Sequence, residues 1–222
     1  MEEYIVKITH IENVTHDVKR FRVEKPSGYS FIPGQATEVS INTPALKDER
    51  RPFTFTSLNT DPYLEFTIKI YTDHNGITNE LGKLKPGNDL IIRDVWGAIN
   101  YKGSGIFLAG GAGVTPFIAI FRQLFANKQI NGNRLYFSNK TSQDIILKEE
   151  LERMLGSNFI NVLTREKSPQ YENRHIDKAF IREKIQNYSQ PFYICGPDAF
   201  VSDLHDLLAE LGAKTDTLVI ET

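Results

Sequence analysis

The sequence predicts a two-domain protein: an antiparallel six-stranded β-barrel over residues 1–100, followed by an α/β domain built on a parallel sheet over residues 101–222. Two observations predict this division. As far as about residue 100, short runs rich in β-forming residues alternate with period two and are cut by glycine and proline. Beyond Tyr101 the rhythm changes to apolar strands separated by stretches of helical period, the pattern of a parallel sheet covered on both faces. A chain of 222 residues can bury one large core or two modest ones.

In the first half, strands are expected at 4–11, 18–24, 36–41, 52–57, 64–71 and 89–94, with Gly28, Gly34, Pro44, Asp61-Pro62, Pro86-Gly87 and Gly97 as the breaks between them. Six such strands suit a small barrel or sandwich. The run RPFTFTSL, from Arg51 to Leu58, alternates cleanly, with Phe53, Phe55 and Ser57 on one side and Thr54 and Thr56 on the other. The one helix expected here is short, 78–84, after the small residues of DHNGIT.

The second half opens with the apolar strand GIFLAG and a helix over 116–126. RLYFSN is the next strand, and 144–154 the next helix, its apolar stripe running through Ile145, Leu147, Leu151 and Leu155. A strand at 159–164, a helix at 177–186, the strand PFYICG, a helix at 199–211 and the final strand TLVIET complete the alternation. The domain boundary is expected near 98–104.

Composition excludes several classes. Lys+Arg 26 against Asp+Glu 28 gives a net charge of -2, so no global basic surface points to nucleic acid. The single cysteine, Cys195, cannot form an intramolecular disulfide or a thiolate-rich iron–sulfur site. The five histidines lack short metal-ligand spacing, so no metal is expected. The start MEEYIVKITHIENV has no basic segment leading into an apolar run, and no apolar stretch reaches the roughly 18 residues of a membrane span. A cytoplasmic protein without membrane insertion is the expectation.

Four local groupings carry chemistry. In LAGGAGVTPF (108–117) an apolar strand runs into Gly110, Gly111, Ala112 and Gly113, with Pro116 where a helix begins. Such a turn lets a pyrophosphate approach the backbone and meet a helix N-terminus, although a strand-to-helix turn alone also accounts for the glycines. Ser138, Asn139 and Lys140 follow one strand, and Thr164 and Arg165 the next; ligands bind outside the carboxyl ends of parallel strands. Cys195, Gly196 and Pro197 follow the strand of FYICGPDAF, and with no adjacent histidine the thiol suits positioning better than covalent attack. In IKIYTDHNGITNEL, Lys69 and Tyr71 alternate at a strand end, and Gly76, Ile77, Thr78 and Asn79 lie at the short helix, where Thr78 either holds phosphate oxygens or simply caps.

Taken together and in order, Arg51-Pro52-Phe53-Thr54, Gly76-Ile77-Thr78, Gly111-Ala112-Gly113-Val114-Thr115-Pro116 and Cys195-Gly196-Pro197 resemble the flavin-dependent ferredoxin or flavodoxin NAD(P)H reductase superfamily, in particular the compact bacterial flavodoxin reductases. The resemblance covers almost the whole chain. It implies a flavin-binding barrel followed by a nicotinamide-nucleotide domain, with FAD as cofactor and NADPH or NADH as donor. It places Arg51 against the flavin diphosphate, Phe53 on the isoalloxazine, Thr54 near its N5 side, and Thr78 with adjacent amides on the diphosphate. Gly111, Gly113, Val114, Thr115 and Pro116 shape the nicotinamide site, and Cys195 lies near hydride transfer.

The sequence departs from the family pattern at Phe53, where tyrosine is usual, at Thr54, where serine is common, and at Phe200, where methionine is frequent. It ends Glu221-Thr222 rather than on an aromatic; Glu221 is a candidate for influencing protonation and Tyr101 for covering the ring. Lys140, Arg165 and Arg174 are candidates for a 2′-phosphate, which tips the expected donor toward NADPH. The resemblance implies single-electron delivery to ferredoxin or flavodoxin, met by a basic patch drawn from Lys7, Lys19, Arg20, Lys69 and Lys102, in a monomer or weak dimer. An NAD(P)H-dependent free-flavin or ferric-chelate reductase is the alternative.

Overall fold

The computed structural model describes residues 2–73, 75–97, 99–214 and 218–221. The side chain of Glu221 and all of Thr222 lie outside the described residues, as does Ala98 at the expected boundary. The first half comprises β1 (Tyr4–Asn13), β2 (Val18–Glu24), β3 (Ala36–Ile41), β4 (Arg51–Thr54), β5 (Tyr63–Lys69), α1 (Ile77–Leu81) and β6 (Asp89–Trp96). These six strands pair antiparallel in the order β4-β3-β6-β1-β2-β5. The edge strands β4 and β5 meet through one bridge, Phe55 to Phe66, and the Thr56 N–H donates to the Glu65 carbonyl at 2.8 Å. The expected barrel is thus observed as an antiparallel sheet whose edges touch at a bridge, not along a continuous ladder.

Alternation explains which residues enter its core. On β2 Phe21 and Val23 are buried, on β5 Leu64, Phe66 and Ile68, all members of one cluster. Phe55 fills the middle, stacked on Phe31 with centroids 4.2 Å apart. Its complete burial removes one of the largest apolar surfaces in the domain from water.

The second half comprises β7 (Ile106–Gly110), α2 (Thr115–Ala126), β8 (Arg134–Asn139), α3 (Lys148–Leu155), β9 (Phe159–Leu163), α4 (Lys178–Lys184), β10 (Phe192–Cys195), α5 (Asp198–Glu210) and β11 (Leu218–Glu221). The strands are parallel in the order β11-β10-β7-β8-β9. Central β7 shows why an apolar run was needed. Phe107 and Ala109 join the cluster containing Phe117 and Phe121 of α2 and Leu151 of α3, while Ile106 and Leu108 face Phe180 of α4 and Val201 of α5.

Two helices begin elsewhere than expected. The segment read as a helix from Asp144 is a 3-10 turn, Ser142–Asp144, because Asp144 and Thr141 form a reciprocal capping box; α3 starts only after Leu147, whose φ of 51° breaks the run. At α1 the N-cap is Gly76, so Thr78 is not the cap. Among the described residues no helix is long and apolar enough to cross a membrane.

Candidate active site

The chain passes from β7 to β8 and β9 on one side, then returns to β10 and β11 on the other. The switch point therefore lies between β7 and β10, where open α/β sheets bind ligands. A cleft of about 590 Å³ opens there, beneath the strand ends of the antiparallel sheet. Its walls bring together much of what the sequence suggested. Gly111, Gly113, Thr115 and Pro116 follow β7; Cys195, Gly196 and Pro197 follow β10; Lys140 follows β8; Thr54, Lys69 and Tyr71 come from the ends of β4 and β5.

The glycine-rich turn has two distinct requirements. Gly111 has φ 53°, and a Cβ there would meet nothing within 4 Å. At Gly113 a Cβ would lie 2.3 Å from the Cys195 carbonyl oxygen and 2.5 Å from the Gly196 nitrogen, so glycine permits the turn to seat directly on the β10 loop. Thr115 Oγ1 donates to the Ala112 carbonyl at 3.0 Å, closing the turn. Pro116 sits in the first turn of α2, where its missing N–H costs nothing, and the positive end of that helix borders the cleft. Val114, expected to shape the nicotinamide site, instead points its side chain into the hydrophobic core and is 0% exposed.

At the end of β8, Asn139 is 5% exposed, and neither Oδ1 nor Nδ2 has a hydrogen-bond partner among the described residues. Asn139 is among the residues that line the cleft. A buried carboxamide without partners carries a desolvation cost that a bound ligand would offset. Ser138 and Thr164 line the same region. Arg165 is exposed and outside the cleft lining, although its N–H donates to the Lys140 carbonyl at 2.9 Å. Arg174 does not fit its expected role as a phosphate ligand: it pairs with Glu183 at 2.7 Å and Glu172 at 3.2 Å and lies over the Phe180 ring. Those hydrogen bonds, Arg174 first and then Lys184, hold the Glu183 carboxyl down at about 2.

Sequence reasoning missed Glu166. Its carboxylate accepts from the Ser142 N–H at 2.7 Å and from Ser142 Oγ at 2.9 Å, joining the loops after β8 and β9. The available signal was an acidic residue just past a parallel strand end. It also missed a grouping of His16, Asp17 and Asp144, whose ligand atoms lie within 4.8 Å of one another. Asp17 is bonded there to Lys69 at 2.8 Å, and Asp144 is engaged by Thr141. Burial disfavours the Asp17 carboxylate, but Lys69 outweighs it and keeps the group below its ordinary range.

On the antiparallel side, Thr54 is buried at 9% exposure. Phe53 is half-buried and packs against the core, while Arg51 and Pro52 are exposed; Arg51 donates to the Arg50 carbonyl at 2.7 Å. None of these three lines the cleft. Gly76 and Thr78 lie at α1, also outside the cleft, and Ile77 is a core residue whose side chain is unavailable to a ligand. The expected basic patch is largely engaged internally: Lys7 with Asp89, Lys19 with the Gly82 carbonyl, Arg20 with Glu12 and Lys69 with Asp17.

Two family models match in tandem, an oxidoreductase FAD-binding domain over residues 5–101 and an oxidoreductase NAD-binding domain over residues 107–206. The chain is 29% identical to NADH-cytochrome b5 reductase 2-A of Vanderwaltozyma polyspora, covering 94% of this chain and 80% of that protein. It is 22% identical to the reductase component of propane 2-monooxygenase from Rhodococcus jostii, covering 98% of this chain but 63% of the relative, less than two thirds of its length. In fold it is similar to a ferredoxin NADP+ reductase from Neisseria gonorrhoeae with bound FAD and NADP, with a TM-score of 0.87, 19% identity and coverage of 100% and 98% of the two chains. The CS-b5R domains of human Ncb5or in its NAD+ form are also similar, with a TM-score of 0.82, 25% identity and coverage of 98% and 68%. The tandem domains make the chain a flavin-dependent oxidoreductase that binds FAD and NAD(P)H, and it belongs to the FAD- and NAD-binding ferredoxin-NADP+ reductase superfamily.

Proposed function

We propose that this oxidoreductase, a cytoplasmic enzyme of the compact flavodoxin reductase type, passes electrons from a nicotinamide dinucleotide through FAD to a ferredoxin or flavodoxin. Residues 1–100 would hold FAD and residues 101–222 the dinucleotide. One observation carries the reading: a single cleft at the switch point has Thr54 on its antiparallel wall and the glycine-rich turn with Cys195 on the other.

The residues fit both groups. The unpartnered carboxamide of Asn139 offers a donor and an acceptor to the dinucleotide. Gly111, open to space, admits a pyrophosphate to the backbone, and the α2 N-terminus favours its charge. Phe53 is only partly buried, and its ring is assigned to a flavin face. Arg51 is assigned to the FAD diphosphate with the amides of Gly76, Ile77 and Thr78. FAD supplies hydride acceptance and one-electron release. The chain's residues orient and shield: Thr54 places a hydroxyl at the ring edge, and Thr115, Pro116 and Gly113 set the nicotinamide plane. Cys195, Gly196 and Pro197 close its far side, with buried Cys195 positioning rather than attacking. Lys69, Tyr71 and Lys140 border the dinucleotide.

The donor best supported is NADH, a revision of the expectation from charge alone. Arg174 is held by Glu172 and Glu183. The Glu166 carboxylate sits instead beside the loop of Lys140 and Arg165, where it would accept from a ribose hydroxyl and repel a 2′-phosphate. The test is to identify the flavin released from purified protein, then follow its reduction by NADH and NADPH in stopped flow and its reoxidation on titration with ferredoxin and flavodoxin. Reoxidation that responds to neither carrier, but does respond to free flavin or ferric chelates, would overturn the acceptor class.

A further inference from the structure

Helix α2 reaches both domains. Its N-terminus carries Thr115 and Pro116 to the cleft, and two turns later Arg122 leaves the parallel domain and ends inside the antiparallel one. Arg122 Nη1 donates to the Thr56 carbonyl and to Glu65 Oε1, both at 2.6 Å. Its Nε and Nη2 donate to the two oxygens of Glu150 on α3 at 2.6 and 3.0 Å, fixing the plane of the guanidinium. Glu65 is 1% exposed. It also accepts from Arg22 Nε and from Thr56 Oγ1, each at 3.0 Å, with Arg20 Nε 3.7 Å away.

Neither domain explains this arrangement by itself. Leu64, Phe66 and Ile68 of β5 fill their own core, which leaves Glu65 and Thr67 on the opposite face. On that face Glu65 meets Arg122 of α2, with Arg22 and Arg20 of β2 beside it, and Thr67 Oγ1 lies 3.2 Å from Thr56 Oγ1. A charge in so dry a place is tolerated when paired, and Arg122 adds to the Arg22 partner of Glu65's own domain a second one that reaches across from the other domain. The chemistry lies close by: Thr56, gripped through its carbonyl, is two residues beyond Thr54 on the cleft wall.

We propose that Arg122 is a positioning residue that sets the spacing across the cleft between the Thr54 wall and the glycine-rich turn, and so between the rings that exchange hydride. The inference rests on the assignment of those two walls to flavin and nicotinamide. From Arg122 to Thr115 is seven helical residues, about 10 Å of rise. A tilt of about 6° about Arg122 would therefore move the turn by about 1 Å, a displacement that can cost about 100-fold in rate.

The test uses the FAD-loaded enzyme as wild type, Arg122→Met, Arg122→Lys, and the double variant Arg122→Met with Glu65→Gln, which leaves no unpaired buried carboxylate should the single change fail to fold. Spin labels on cysteines introduced at exposed Glu49 and Asn127 report the distance between the domains. Stopped flow reports NADH binding, the rate of hydride transfer, and the long-wavelength absorbance of stacked oxidised nicotinamide and reduced flavin. The expected result for Arg122→Met and the double variant is a broadened distance distribution and hydride transfer slowed about 100-fold. FAD content and NADH affinity should stay within about twofold of wild type, with Arg122→Lys recovering part of the rate. An unchanged distance distribution would overturn the proposal whatever the rate does, as would a hydride-transfer rate within about threefold of wild type. Failure of the wild type itself to be reduced by either nicotinamide would instead defeat the assignment of the cleft, since the distance measurement does not depend on turnover.

Discussion

Gly113→Ala tests whether the glycine-rich turn positions the nicotinamide or is merely a place to turn the chain. The new methyl carbon would lie 2.3 Å from the Cys195 carbonyl oxygen, where ordinary contact begins at 3.4 Å. The difference, 3.4 − 2.3 = 1.1 Å, must be taken up by separating two backbone segments, because the obstructing atoms are the carbonyl of Cys195 and the nitrogen of Gly196. Both segments border the cleft, so this separation displaces its floor by about an ångström. Misplacement of that size can cost about 100-fold in rate, or about 2.7 kcal/mol in barrier height. Overpacking also destabilises by about 1–3 kcal/mol, which for a chain of this size lowers Tm by about 2–4 °C per kcal/mol. The assay is stopped-flow bleaching of the flavin by NADH in protein first shown by absorbance to retain FAD. A variant that holds FAD and reduces it at the wild-type rate would refute the positioning role, whatever its Tm.

Three further outcomes are expected. Asn139→Leu should raise the Michaelis constant for the dinucleotide about 10-fold while leaving Tm unchanged or slightly higher, since it removes buried polar atoms with no partner among the described residues; a clear fall in Tm would mean the carboxamide is structural. Glu166→Ser should move the ratio of kcat/KM values for NADH and NADPH at least about 10-fold toward NADPH, and equal effects on both donors would remove Glu166 from ribose recognition. For acid stability, burial opposes ionisation of Glu65, but Arg122, Arg22 and Arg20 outweigh it and hold its folded value below the ordinary 4.5. Its contribution is therefore complete above about 4.5 and lost as pH falls through the lower folded value, so melts across that range should show wild type losing stability more steeply than Glu65→Gln, and parallel curves would contradict the pairing.

Features written locally in the chain were legible in the sequence. GIFLAG announced a strand buried on both faces, and the turn residues after it, with Pro116, marked the strand-to-helix junction that opens the cleft. What failed was any statement requiring a partner. Arg174 looked like a phosphate ligand because its sequence context shows a charge and hides Glu183, nine positions away near the end of α4. Glu166 and Ser142 are 24 residues apart and meet only because β8 and β9 lie side by side. Asn139 reads as a solvated loop residue until the fold buries it. The helix expected from Asp144 failed for a related reason: a capping box and a helix start share residue types, and the left-handed Leu147 decides between them.

The face of β5 that bears Glu65 and Thr67 illustrates a deeper limit. Alternation correctly separates it from the core face, and a polar face on an antiparallel sheet ordinarily meets water. Here Glu65 and Thr67 are 1% and 5% exposed, Glu65 paired with Arg122 of the second domain and Thr67 set against Thr56. Polar residues at those positions are compatible with a bare face and with a docked one, so the pattern cannot distinguish the two. The discriminating residue is Arg122 on α2, where Phe117, Phe121 and Leu124 are all buried and Arg122 is the one charged residue of the helix. An arginine there either snorkels to solvent or finds a buried acid. Only the relative placement of the two sheets selects the second outcome, and that placement also determines how far Thr54 stands from the glycine-rich turn. Domain docking and cleft width are consequently one structural variable in this protein, and perturbations of the buried ion network should register in catalysis before they register in the fold of either domain.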